Sequence, residues 1–210
     1  MAKPDFDTPY LELWRGVNTG LKSLCNKEGH LYLGGLLEVV ADPSAPHRLK
    51  EEITIDGVHF DHAGYKMMGL SLAAALKKRL KKGQTVLMFG DSIIAGYPYY
   101  EPVLAPGQGD PKHSFGYWLE AELEVTVINR GISGDATSGI LQRFLHEKAA
   151  ADLVIFEGGG NDALEYLMLR DPSSISASIL ENFKRMCAAA KGRGMAVAVV
   201  PLLPFDPQWG

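Results

Sequence analysis

Cysteine is scarce in this chain. Two cysteines in 210 residues, Cys25 and Cys187, cannot form a disulfide framework. Cys187 falls in an apolar helical stretch and reads as a buried thiol. Cys25 lies near a helix end and reads as partly exposed. No apolar run approaches the roughly 18 residues of a membrane span. Nothing at the N-terminus resembles a signal peptide, so the expectation is a cytoplasmic protein without a membrane span. An excess of one charge is lacking too. A formal net charge of −4 creates no attraction to nucleic acid or to an anionic membrane. The six histidines (His30, His47, His59, His62, His113, His146) show no His-x-x-x-His spacing, so no metal site is expected. The glycine frames of mononucleotide and dinucleotide loops are absent, and no cofactor is expected.

What the chain has instead is short apolar runs alternating with helical periodicity. Strand-like runs occur at 30–33, 85–89, 125–128, 153–156 and 195–200. Helical spacing occupies 8–26, 63–80, 114–124, 138–148 and 174–191. Residues 34–55 read as irregular, with one helical turn at 36–40. Residues 93–116 read as a long loop, and the stretch after 156 as a further loop. Strand–helix alternation predicts an α/β fold with a parallel sheet covered on both faces. With no repeat or linker, residues 1–210 read as one domain.

The chemistry-bearing residues cluster just after the strand-like runs, where an open α/β sheet places its site. Gly90-Asp91-Ser92 follows the run 85–89. Asn129-Arg130-Gly131-Ile132-Ser133-Gly134-Asp135 follows 125–128. Glu157-Gly158-Gly159-Gly160-Asn161-Asp162 follows 153–156. Asp56-Gly57-Val58-His59 precedes the helix 63–80. Ser92 can act as a nucleophile only with a base in reach; His59 is the candidate, with Asp56 spaced to orient it. His62, three residues on, is its local competitor.

Together these four stretches resemble the SGNH, or GDSL, hydrolase family of serine esterases and lipases. The resemblance implies a three-layer α/β/α, flavodoxin-like fold. The implied strand order is 125–128, 85–89, 153–156, 195–200, 30–33. It implies Ser92 as nucleophile, His59 as base and Asp56 as its orienter. It implies an oxyanion hole made by the backbone N–H groups of Ser92 and Gly134 and the side-chain amide of Asn161. One departure stands out: the Asp-x-x-His block lies upstream of the serine. The chain therefore looks like a circular permutation, in which 1–84 corresponds to the family's C-terminal part and 85–210 to its N-terminal part. The expected partner is a small-molecule carboxylic ester or thioester. Tyr97, Tyr99, Tyr100 and Trp209 are candidates to line its site. A homodimer that swaps residues 1–80 between copies is the alternative assembly. The rival reading is a non-catalytic flavodoxin-like module holding a small ligand or flavin.

Overall fold

In the central strand, Val86 and Met88 alternate with Leu87 and Phe89, and all four are buried. A strand buried on both faces needs a helical layer on each, and the rest of the chain supplies both. The computed structural model describes residues 7–166 and 171–205. The elements are α1 (Asp7–Glu28), β1 (Leu31–Tyr32), α2 (Gly35–Val40), α3 (His62–Leu76), β2 (Thr85–Gly90), α4 (Ser92–Ala95), α5 (Phe115–Leu123), β3 (Thr126–Gly131), α6 (Thr137–His146), β4 (Leu153–Phe156), α7 (Gly160–Tyr166), α8 (Pro172–Gly192) and β5 (Ala196–Val199). Short 3₁₀ turns occur at Glu51–Ile53 and Pro111–His113.

The five strands form one parallel sheet in the order β1-β5-β4-β2-β3, as expected from the resemblance. Leu87, Phe89, Val154, Phe156, Val197 and Val199 pack against α1, α6 and α8. Val86, Met88, Leu153, Ile155 and Ala198 pack against α2, α3, α4 and α5. The period of two along each strand thus divides the core into its two layers. β1 comes from the first 84 residues and pairs with β5 from the last third, so both parts of the chain share one sheet.

Several boundaries differ from the periodicity. α3 ends at Leu76 rather than 80: Arg79 N–H bonds to the Leu76 carbonyl three residues back, a 3₁₀ tightening of the last turn. α6 spans 137–146 and α8 spans 172–192, the latter entered through Asp171, whose side chain caps the Ser174 N–H. The segment after 156, expected as a loop, contains the short helix α7. The first residues of the expected 93–116 loop are helical as well, because Ser92 opens α4. Cys25 is fully buried rather than partly exposed, since it falls on the sheet-facing stripe of α1 with Val17 and Leu21. Burial pushes its thiol up to about 11. Trp209 lies outside the described residues. Among those residues, no helix is long and apolar enough to cross a membrane.

Candidate active site

Ser92 sits immediately past β2 as the first residue of α4. Asp91 caps this helix by accepting the Ile93 N–H at 2.9 Å. The end of β3 holds α4 in place: the Asn129 side-chain amide donates to the Ile94 carbonyl at 2.8 Å. Gly131 allows the two backbones to touch, because a Cβ there would lie 2.2 Å from the Ala95 nitrogen. Asn129 and Gly131 thus position the serine, and they belong to the same stretch that carries Gly134.

His59 arrives from the loop before α3. Asp56 folds this loop on itself: its Oδ1 accepts the Val58 N–H at 2.9 Å and the His59 N–H at 2.7 Å. Its Oδ2 lies 2.7 Å from His59 Nδ1. An ionised carboxylate can only accept, so Nδ1 carries the proton and Nε2 is left with a lone pair. Nε2 lies 3.1 Å from Ser92 Oγ. Burial alone would raise the Asp56 pKa, but the His59 N–H, the His59 ring and the Val58 N–H outweigh it and hold the carboxyl below its usual value. The Tyr97 ring lies against His59, with centroids 4.9 Å apart. His62 faces elsewhere, stacked on Tyr99 and His113 at 4.1 and 3.9 Å.

The other predicted residues converge on the same cavity, of about 440 Å³. Gly134 lines it at φ 80°, a backbone conformation that strains any residue with a Cβ. Asn161 lines it from the start of α7, its amide donating to the Asp135 carbonyl at 3.0 Å and to Asp91 Oδ2 at 3.4 Å. Arg143 ties these loops together. It pairs with Asp135 and donates to the carbonyls of Gly90 and Arg130, at the ends of β2 and β3. Asp162, next to Asn161, accepts the Thr137 N–H and hydroxyl at the start of α6.

Of the aromatic candidates, Tyr97 lines the cavity; Tyr99 and Tyr100 do not. Tyr99 is drawn away by its stack with His62. The walls missed by sequence reasoning are apolar: Val58, Ile93 and Leu164, and above all residues 202–205. These four carry no chemical signature and follow Pro201, just past the end of β5. Their placement comes from α1. Asn18 pairs with both the N–H and the carbonyl of Leu202, at 2.8 and 3.0 Å, and Trp14 Nε1 donates to the same carbonyl at 2.9 Å.

Ser92, His59 and Asp56 thus lie in one hydrogen-bonded line beside a cavity that Gly134 and Asn161 also border, an arrangement that serine hydrolases use. The sequence model of the GDSL-like lipase/acylhydrolase family matches residues 88–210, and the chain belongs to that family of ester-hydrolysing enzymes. Asp56 and His59 lie outside the matched stretch. An arylesterase from Vibrio mimicus is 31% identical over 151 residues, covering 69% of this chain and 67% of the relative. Among solved structures, the SGNH-hydrolase family esterase AlinE4 is 27% identical with a TM-score of 0.43, covering 57% of this chain and 59% of its own. A catalytic mutant of Axe2, an acetylxylan esterase from Geobacillus stearothermophilus, is 21% identical with a TM-score of 0.42, covering 58% and 60%. The chain thus spans about three fifths of the length of these two structures.

Proposed function

We propose that this protein hydrolyses a small carboxylic ester or thioester through an acyl-enzyme on Ser92. The observation that carries this is the line Asp56–His59–Ser92, with hydrogen-bonded separations of 2.7 and 3.1 Å. Ser92 Oγ attacks the carbonyl carbon while His59 Nε2 takes its proton. Asp56 stabilises the imidazolium that results. The negative charge on the carbonyl oxygen is met by the N–H groups of Ser92 and Gly134 and by the Asn161 amide. His59 then protonates the leaving alcohol or thiol. Water, deprotonated by the same imidazole, releases the acid and restores Ser92. The mechanism calls on no cofactor. The apolar walls suit an acyl or aryl group, and the arylesterase relative makes aryl esters the first substrates to assay.

The order of the blocks supports a circular permutation as part of this reading. The family match begins at residue 88 and the Asp-x-x-His block precedes it, yet β1 pairs with β5 and His59 reaches Ser92. Residues 1–84 then stand for the family's C-terminal part within a single domain.

A fluorophosphonate is expected to label Ser92 covalently. Ser92→Ala should abolish labelling and lower turnover of a p-nitrophenyl ester by on the order of 10⁴–10⁶. His59→Ala should do the same to turnover, and His62→Ala should not. A Ser92→Ala protein that keeps more than about a tenth of the activity would overturn the assignment, since a lost nucleophile costs far more than that.

A further inference from the structure

Two carboxyl groups lie buried directly beneath the oxyanion donors, and the mechanism above uses neither. Asp91 is 3% exposed and Glu157 2%. They come from the ends of the adjacent strands β2 and β4, close enough that each shifts the other's titration, and Glu157 Oε2 lies against Gly90, the residue before Asp91. A bond between two carboxyls requires a proton on one of them. Asp91 already accepts the Ile93 N–H at 2.9 Å and the Asn161 amide at 3.4 Å. Those are contacts suited to an ionised group. No N–H or O–H of the described residues reaches Glu157 Oε2, which lies against Gly90. Among the described residues the Asp91 N–H is the one donor to the Glu157 carboxyl, so an ionised Glu157 would leave Oε2 of a buried charge unmet, which is strongly unfavourable. The proton therefore belongs to Glu157.

We propose that Glu157 is a positioning residue: its carboxylic acid donates to Asp91, and Asp91 in turn holds the α4 turn and the Asn161 amide in line for the oxyanion. The inference rests on the acyl-transfer reading of the site. The shared proton has an electrostatic purpose as well. A carbonyl oxygen gaining negative charge beside Asn161 would be repelled by two carboxylates below it. With one proton between them, the pair orders the donors at the cost of a single negative charge. Burial raises both groups, and the neighbouring Asp91 charge and hydrogen bond raise Glu157 further. The other titratable groups facing the pair are His59, Tyr65 and Asp162, with Arg143 reaching the Gly90 carbonyl nearby. Tyr65 is held well above its ordinary value by burial and so stays neutral.

Three measurements on the full chain test this. The infrared difference spectrum between wild type and Glu157→Gln at neutral pH should contain the carbonyl stretch of a protonated carboxyl. Carboxylate bands in its place overturn the proposal, and this readout does not depend on catalysis. With a p-nitrophenyl ester, Glu157→Ala should lower kcat by roughly ten- to a hundredfold, less than loss of an oxyanion donor itself, while KM moves little. Glu157→Gln, which can still donate to Asp91, should recover most of that loss. Equal losses in the two variants, or an effect confined to KM, overturn it. Finally, wild-type kcat should fall at alkaline pH as the pair loses its proton. Glu157→Gln, which cannot ionise, should lack that fall. An unchanged alkaline limb in Glu157→Gln overturns the proposal even if Glu157→Ala does not fold. If the wild type neither labels with fluorophosphonate nor turns over, it is the acyl-transfer reading that fails, and the infrared result still decides where the proton resides.

Discussion

Asn161 commits its amide to two protein acceptors, a 3.0 Å bond to the Asp135 carbonyl and a 3.4 Å bond to Asp91. The first fixes the plane of the amide. The second is long, so that N–H can be shared with a substrate oxygen as charge develops while Asp91 keeps the amide in line. Asn161→Ala is expected to lower kcat by roughly 10²–10³ with a smaller change in KM. Asn161→Asp should be more damaging than alanine, because it sets a carboxylate beside Asp91. A loss seen only in KM would make Asn161 a ground-state contact. The residues with chemistry were legible because each stands in a short motif after a strand-like run. Asp56 and His59 close their own turn, so three residues of spacing were enough to find them. Leu164 and residues 202–205 were not legible. An apolar side chain announces burial but not which cavity it faces, and here a contact 184 residues away decides it. Glu157 was visible in its motif, yet its role depends on a neighbour from another strand.

Element by element, the site depends on how closely helices approach strand ends. α4 is a single turn of four residues and cannot hold itself in place. It is held by the Asp91 cap, by Asn129 and by the bare Cα of Gly131. Gly131→Ala would drive a methyl group into the Ala95 backbone, which has no rotamer with which to yield. The expected result is a destabilisation of about 1–3 kcal/mol, typical of overpacking, together with a drop in kcat as Ser92 shifts. Thermal unfolding and a p-nitrophenyl assay check both. Full activity at an unchanged melting temperature would contradict the close contact. The same physics explains which elements periodicity missed. α7 is seven residues long and begins on the last of three consecutive glycines, a composition that argues for a loop. It forms because Asp162 docks it on the first turn of α6, a tertiary contact that leaves no periodic trace. The five strands were legible in position as short apolar runs, and their order followed from the family resemblance.

For the whole molecule, the pivotal link is Lys81 to Gln84, between the part that carries His59 and the part that carries Ser92. Four extended residues reach about 13 Å. A turn over residues 77–80 leads from the end of α3 into the link, which closes on itself through the Gln84 N–H and the Lys81 carbonyl and ends at the entry of β2, where strands begin. His59 and Ser92 of one chain then meet without exchange between copies. Co-refolding a Ser92→Ala chain with a His59→Ala chain is therefore expected to restore no activity. Recovery approaching a quarter of the wild-type value, the yield of random pairing in a dimer, would establish a swapped assembly instead. A different consequence follows from the Asn18–Leu202 pairing, and it concerns time. The proposed nucleophile and oxyanion donors lie within residues 90–161, whereas the wall at 202–205 closes only when α1 meets that later segment of the chain. Contacts across so long a loop form late in folding. During refolding, the ability to cleave a small activated ester is expected to return before the preference among acyl chain lengths, as parallel assays with acetyl and longer-chain esters would record. Simultaneous return would place α1 in the folding nucleus. Reactivity and discrimination are in that sense separate acquisitions of one chain, the second reached only once α1 and that later segment have met.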